Sequence, residues 1–347
     1  MTPLILPQLA ESIYKIYEAK NAEESPRNYL GGSAIGNKCS RALWYDFRKA
    51  KLPDFDGRLL RLFRTGHREE DRMVADLVAA GLEVHANNPE TGEQFEVTAF
   101  GGHLSGHFDG LLRGVPDAPK QWHLLETKTN NTKGFKKLER EGCRKSKPVH
   151  FAQMQVYMGL AKKFWSAWKL EGEPPSAALY MVHCKETDHL YLERVLFYEQ
   201  AFFDLGAKAK RIIEASEPPD RIAFTEDYYL CRWCDFKGIC HGEEVPRLDC
   251  RTCIHSTPAQ DGRGWICELG VTEGRIGDNF GGCPHHLYIA PLLENTLGDV
   301  VDYDREEPSD WIEYDKEGVR LKNITTPFFL ENRDAGITSF DLERRDA

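Results

Sequence analysis

The 347-residue chain contains no apolar run approaching the roughly 20 residues needed to cross a bilayer. Its first residues lack the basic patch and following apolar stretch of a secretory leader. The expectation is a cytoplasmic protein with no membrane partner. It has no internal repeat and no low-complexity tract. It also lacks a phosphate-binding P-loop: Gly31 to Lys38 comes near one, but Asn37 stands between Gly36 and Lys38, and no strand precedes it as that motif requires. A built-in ATPase motor of that type is therefore excluded.

A positive charge excess is missing as well. The formal net charge is −10, which on its own speaks against a polyanionic partner. Its distribution says more than its total. Residues 294–347 hold 15 Asp/Glu against 7 Lys/Arg, so residues 1–293 carry a net charge of only −2. Within residues 128–147, eight basic side chains face only Glu139 and Glu141. Such a local excess suits phosphate contacts, although a charge run taken alone reads as a solvated helical face.

The chain does not lack cysteine. Its ten cysteines are many for a reducing compartment, where they serve more often as metal ligands or catalytic groups than as disulfides. Eight fall into patterned spacings. Cys143 and Cys184 fall in none and read as free thiols.

Residues 1–28 read as a polar, partly helical lead-in, and residues 30–49 as a turn followed by a helix carrying Cys39, Arg41, Trp44 and Tyr45. A long helix is expected over 59–80, closed by Gly81, with Phe63, Val74 and Leu77 on one apolar stripe. Glu70 lies within that stripe and His67 close to it. A carboxylate there is costly unless it binds something, either a ligand or a salt-bridge partner. Strands are expected over 94–100, 103–113 and 121–129, a helix over 149–165, a hairpin over 177–184 and 189–197, and a helix over 198–216. The order helix, three strands, helix, two strands, helix implies a mixed α/β (α+β) layer structure.

Asp109 sits before Gly110 at an expected strand end. Glu126 and Lys128 are two apart on a strand and so share a face. Asp109 and Glu126 are hard oxygen ligands suited to Mg²⁺ or Mn²⁺, and the Thr127 carbonyl is a further candidate. Lys128 is placed to hold or deprotonate water, or to stabilise charge on a phosphate. Glu-x-Lys alone usually marks an exposed, salt-bridging edge. Here Asp109-Gly110 precedes it, Glu70 lies upstream, and Gln153 and Tyr157 follow at helical spacing. With Gly66 to Glu70, Asp109-Gly110, Glu126 to Lys128 and Gln153 to Tyr157 in that order, residues 30–245 resemble the RecB-like branch of the PD-(D/E)xK nucleases. Phe108 stands where that family's leading proline would be. The resemblance implies a restriction-endonuclease-like mixed sheet flanked by helices, with catalytic residues Glu70, Asp109, Glu126, Lys128, Gln153 and Tyr157. Gln153 and Tyr157 would contact DNA or orient the catalytic groups. Either Glu70 or His67 would complete the metal ligands. Lys133, Lys136, Lys137 and Arg144 are the candidate DNA contacts.

Cys231, Cys234 and Cys240 form Cys-x2-Cys-x5-Cys, three thiolates that call for a fourth. Cys39 is the candidate, closing a loop of about 190 residues. One cysteine before such a core and three after it resembles the iron–sulphur nucleases, the CRISPR-associated exonucleases and the AddB nuclease domain. That resemblance implies a [4Fe–4S] cluster; Zn²⁺ on the same thiolates is the alternative. Cys250, Cys253, Cys267 and Cys283 read as a small zinc module, with His255, His285 and His286 as substitute ligands. The domain reading is a nuclease-like core over 1–245, a metal-stapled module over 246–293 and an acidic tail over 294–347. Trp311 to Asn323 of the tail fits a hairpin around Glu317-Gly318, and the tail offers a surface to a protein partner. The functional expectation is a metal-dependent DNA exonuclease for recombination, repair or viral replication, encoded by a virus or mobile element. The alternative is a non-catalytic DNA-binding scaffold.

Overall fold

The structure is a computed structural model that describes residues 6–270, 283–304, 311–316 and 319–322. Along the chain run α1 (Pro7–Ala22), β1 (Leu30–Gly31), α2 (Ser40–Phe47), α3 (Gly57–Ala79), β2 (Glu83–His85), β3 (Phe95–Ala99), β4 (Leu104–Phe108), β5 (Gly110–Arg113), β6 (His123–Asn130), α4 (Thr132–Ser146), α5 (Pro148–Phe164), β7 (Ala177–Cys184), β8 (Leu190–Leu196), α6 (Glu199–Glu214), α7 (Lys237–His241), β9 (Ser256–Pro258), β10 (Trp265–Cys267), α8 (Glu294–Leu297), β11 (Asp299–Asp304), β12 (Trp311–Lys316) and β13 (Val319–Lys322). This is a mixed α/β architecture, as the pattern of elements implies. The chain divides into two compact units. The first holds residues 1–27, 31–36 and 54–209, and the second holds residues 28–30, 37–53 and 210–347.

The first unit is built on a five-stranded sheet of order β2-β5-β6-β7-β8. Strands β6 and β7 are parallel and the other neighbours antiparallel. A parallel pair needs a long crossover, which α4 and α5 supply. Alternation along the strands gives the sheet two faces. Leu125, Leu179 and Met181 pack with Met73 and Leu77 of α3. Glu126 and Tyr180, neighbours in register, point to the other face, where α5 lies. Helix α3 begins where the Asp56 carboxylate caps the Leu59 amide at 2.6 Å and ends before Gly81, which has φ +89.

Three sequence expectations change here. The strand expected over 103–113 is two. β4 pairs with β3, and β5 joins the five-stranded sheet, so Asp109 sits where the chain passes from one sheet to the other. Gly110 makes that passage possible. Its φ is +153, and a Cβ there would meet the His85 carbonyl at 2.7 Å, so only glycine fits without strain. Second, the basic run contains a helix absent from the expected order: α4, capped by the Asn131 side chain on the Gly134 amide at 2.8 Å, with Phe135 and Leu138 buried. Third, Phe63 is not on the buried stripe. It is 41% exposed, because only the second half of α3 lies on the sheet core, and its ring packs edge-on against Phe55.

The second unit is organised around Arg48. Its guanidinium donates to the carbonyls of Arg251, Ser256 and Ala215 at 3.0–3.1 Å and lies over the rings of Trp44 and Trp265. A guanidinium presents its donors in a fixed planar fork and a flat face to the two rings, which a lysine ammonium does not. β9 and β10 pair antiparallel. β12 and β13 form the hairpin expected over 311–323, with Lys316 opposite Val319; its tip, Glu317-Gly318, and Asn323 lie outside the described residues.

Within the first unit, the Gly32 amide donates to the Ser105 carbonyl at 2.8 Å, and the buried Tyr157 ring lies against Gly32 and Gly106. A Cβ at Gly106 would sit 2.2 Å from the Tyr157 hydroxyl. Gly106→Ala is therefore expected to destabilise the protein by about 1–3 kcal/mol through overpacking, read as a lower urea midpoint at unchanged slope. An unchanged midpoint would contradict this packing.

Candidate functional site

Three carboxylates reach one region from three elements: Glu70 from α3, Asp109 from the junction of β4 and β5, and Glu126 from β6. Asp109 is fixed by Thr127, whose amide and hydroxyl both donate to Oδ2, at 2.6 and 2.7 Å. Glu126 is fully buried. Its Oε2 accepts from Gln153 Nε2 at 2.9 Å, and its Oε1 accepts from Lys128 Nζ. Lys128 also donates to the Thr127 carbonyl at 3.0 Å. Gln153 thus orients Glu126 from α5, four residues before Tyr157 on the same helix face.

The electrostatics follow from this crowding. Burial pushes the Glu126 carboxyl up to about 7, Lys128 opposing the shift and Asp109 and Glu70 adding to it. Glu70 also rises to about 7, from burial and then from Asp109. Burial pulls the Lys128 ammonium down, but Glu126, Asp109 and Glu70 outweigh that and hold it above the usual lysine value. Each carboxylate thus stands where negative charge is already in excess. That donor set suits a hard divalent cation bound through oxygen. Glu70 faces this cluster, whereas His67, one turn earlier, is exposed.

The sequence reading missed His150. Its Nδ1 stands 2.6 Å from the hydroxyl of Tyr180, the register neighbour of Glu126. Burial, with Lys128 and Lys147, pulls the His150 imidazole down to about 4, so it is neutral at physiological pH. The available signal was its place three residues before Gln153, on the same helix face. The candidate DNA contacts Lys133, Lys136, Lys137 and Arg144 are all exposed on α4. Lys137 has Glu141 at 3.9 Å, and the Arg144 guanidinium lies over the rings of Phe151 and Tyr198.

In the second unit, Cys39, Cys231, Cys234 and Cys240 line one cavity with Arg41, Tyr45 and His241. Burial pushes the Cys231 and Cys234 thiols up, and neighbouring cysteines of the set add to this. Burial raises the Cys253 thiol to about 11, and Cys283 and Cys267 contribute. Cys250 opens a short turn capped by Asp249. His286 is buried, with Nε2 2.9 Å from the Asp249 carbonyl, and burial pulls its imidazole down to about 4. His255 is buried and His285 exposed. All ten cysteines are free, and Cys143 and Cys184 are buried. Among the described residues, no three His, Cys, Asp or Glu side chains are arranged as a finished metal cage. At the carboxylate cluster, Lys128 is bonded to two of the oxygens an ion would use.

The raised carboxyls give a pH dependence of definite sign. Between about pH 4.5 and 7 the folded protein keeps protons that the unfolded chain has lost, so stability in EDTA falls as pH rises through that window. Glu126→Gln removes one of the two groups. Its melting temperature is expected to drop less than the wild type's between pH 5 and pH 8, and Mn²⁺ is expected to raise the wild-type value more at pH 8 than at pH 5. Equal drops in wild type and variant would contradict the burial of an ionisable Glu126.

Among the described residues, no helix is long and apolar enough to cross a membrane. The chain matches no curated protein. Among solved structures it is similar to an alkaline exonuclease, LHK-Exo, from Laribacter hongkongensis, at 12% identity over 57% of this chain and 90% of that one, with a TM-score of 0.37. The same exonuclease in complex with dAMP gives 12% identity, 58% and 90% coverage, and a TM-score of 0.37. A protein titled SSO0001 gives 13% identity, 68% and 98% coverage, and a TM-score of 0.39. A family model described as the PD-(D/E)XK nuclease superfamily matches residues 8–241, a span that contains every residue of the carboxylate cluster. The chain belongs to the PD-(D/E)XK nuclease superfamily.

Proposed function

We propose that the protein is a Mg²⁺- or Mn²⁺-dependent DNA exonuclease whose active site is the Glu70, Asp109, Glu126 and Lys128 cluster. The observation that carries this reading is the convergence of three carboxylates from three elements around one lysine, with the buried Glu126 held by Gln153. A divalent ion bound there supplies polarisation of the phosphoryl oxygen and a lower pKa for a bound water. The chain's own residues do the rest. Glu70, Asp109 and Glu126 would be its side-chain ligands, and the Thr127 carbonyl would be a further oxygen. Thr127 and Gln153 fix the orientation of Asp109 and Glu126. Lys128 stays cationic and places positive charge on the water or on the developing phosphate charge. Tyr157, packed on Gly32 and Gly106, holds β4 and so the approach to Asp109.

Lys133, Lys136, Lys137 and Arg144 form the phosphate-binding face, for single- or double-stranded DNA ends. In the second unit, Cys39, Cys231, Cys234 and Cys240 are assigned a [4Fe–4S] cluster, with Zn²⁺ as the alternative, and the support is the cavity they share. Cys250, Cys253, Cys267 and Cys283 are assigned Zn²⁺, supported by the nearness of Cys267 and Cys283 to Cys253, whose thiol they help push up. In both cases the bound group would cross-link segments distant in sequence. DNA recombination or repair is the setting such an activity serves, and the acidic tail is assigned to a protein partner.

Asp109→Asn, Glu126→Gln and Lys128→Ala are each expected to lower the cleavage rate on end-labelled DNA by about 100-fold or more, with DNA affinity largely kept. Neutralising Lys133, Lys136, Lys137 and Arg144 is expected to do the reverse, weakening binding and reducing the salt slope by up to about one unit for each phosphate that is no longer neutralised. Wild-type cleavage by Glu126→Gln would place the active site elsewhere. Cys39→Ala is expected to lose the metal held with Cys231, Cys234 and Cys240, measured as iron and zinc per protein. Full metal content in that variant would contradict the shared site.

A further inference from the structure

Helix α3 continues beyond the core that its second half covers; α1 packs on its first half at Gly57, Arg61 and Arg64, and the face away from α1 carries a distinct exposed surface. At 100° per residue, Phe63, Gly66, His67 and Glu70 fall within one face of the helix. Phe63 and Glu70 are two turns, or about 10 Å, apart along its axis. Between them Gly66 leaves a gap: a Cβ there would have no atom within 4 Å. Glycine in a helix interior is costly relative to alanine, and here no packing against protein accounts for it. Gly206 in α6 is equally open, so openness alone marks nothing. What distinguishes Gly66 is its position on the Glu70 face, one turn from a carboxylate that senses Asp109 and Lys128. Phe63 is 41% exposed and packs edge-on against Phe55, ring centroids 5.1 Å apart at 87°, which leaves aromatic surface open to solvent.

We infer that Phe63, backed by Phe55, is a base-stacking subsite for an unpaired nucleotide of the DNA substrate, and that Gly66 keeps open the path from that base to the carboxylates. The inference rests on the nuclease reading above and adds to it a place for the bases. The occupant is an unpaired base because every base has a π-face that an exposed phenyl ring accepts without sequence preference, whereas a paired base offers its face only to its stacked neighbours. The distance suits it too. About 10 Å is the length of three stacked nucleotides, so a base on Phe63 belongs to a residue two or three positions from the phosphate at the carboxylates.

The test uses the full-length protein with Mn²⁺ and a series of single-stranded oligonucleotides, each carrying one 2-aminopurine at a different position near either end. With wild type, fluorescence of the probe is expected to change on binding at a position two or three nucleotides from the cleaved bond. Phe63→Ala is expected to raise KM about 5- to 100-fold, leave kcat within about threefold, and abolish that fluorescence change. Phe63→Trp is expected to restore both. Phe63→Leu keeps an apolar side chain without a π-face and is expected to behave like Phe63→Ala. Gly66→Leu is expected to raise KM while leaving the melting temperature equal or higher, since the helix gains propensity and no protein atom is displaced. A wild-type KM in Phe63→Ala, or full rescue by Phe63→Leu, overturns the stacking subsite. If wild type itself does not cleave DNA with Mg²⁺ or Mn²⁺, the nuclease reading fails instead.

Discussion

A carboxylate with no exposed surface, Glu126, lies in the interior of the first unit beside two others, and the surrounding architecture answers the charge problem this creates. Burial raises its pKa, and Asp109 and Glu70 raise it further. Lys128 offsets part of that and is itself held cationic by the same three groups. Such a cluster is poor for stability, because a buried charge must be compensated by close partners. It is well suited to binding a divalent ion, whose arrival converts mutual repulsion into shared attraction. A stability penalty concentrated at one point of an otherwise well-packed sheet is what a functional site costs a fold.

The neighbouring structure holds these groups still. Asp109 lies where the chain leaves one sheet for another, and Gly110 permits that step because a side chain there would strike the His85 carbonyl. Thr127 ties Asp109 to β6 through two hydrogen bonds, so the two carboxylate-bearing segments move together. Gln153 reaches Glu126 from α5, a helix buried along most of its length and therefore a rigid support. Tyr157, one turn further on, fills the space left by Gly32 and Gly106. Gln153 and Tyr157 thus act on the cluster from one helix face, the first by a hydrogen bond and the second by packing.

Much of this was legible in the sequence because it obeys short-range rules. Glu126 and Lys128 share a face by strand alternation, and Gln153 and Tyr157 by helical spacing. The hairpin over 177–197 is marked by two short runs rich in Leu, Tyr and Val, and Gly81 ends α3 as a residue of positive φ should. What escaped depended on distant partners. The break at Asp109 was invisible because both halves alternate as one strand would, and only the His85 carbonyl makes the glycine necessary. Phe63 fits the apolar stripe by spacing, yet periodicity does not say where a helix runs past its sheet. Helix α4 was hidden by its charge, since Phe135 and Leu138 are a thin apolar signal among many lysines and arginines. Arg48 gave no signal: its three carbonyl partners lie some 170 to 210 residues away.

The cysteines raise the same point about long range. Cys39 was paired with Cys231, Cys234 and Cys240 by pattern alone, and the four line one cavity within the second unit. Whether the carboxylates hold a divalent ion is read most directly from Mn²⁺ binding to EDTA-stripped protein, followed by electron paramagnetic resonance of the free ion. Mn²⁺ binding is expected in the wild type and is expected to be lost in Asp109→Ala and Glu126→Ala, weakened in Glu70→Ala, unaffected in His67→Ala and retained in Lys128→Ala. Wild-type Mn²⁺ affinity in Glu126→Ala would contradict it.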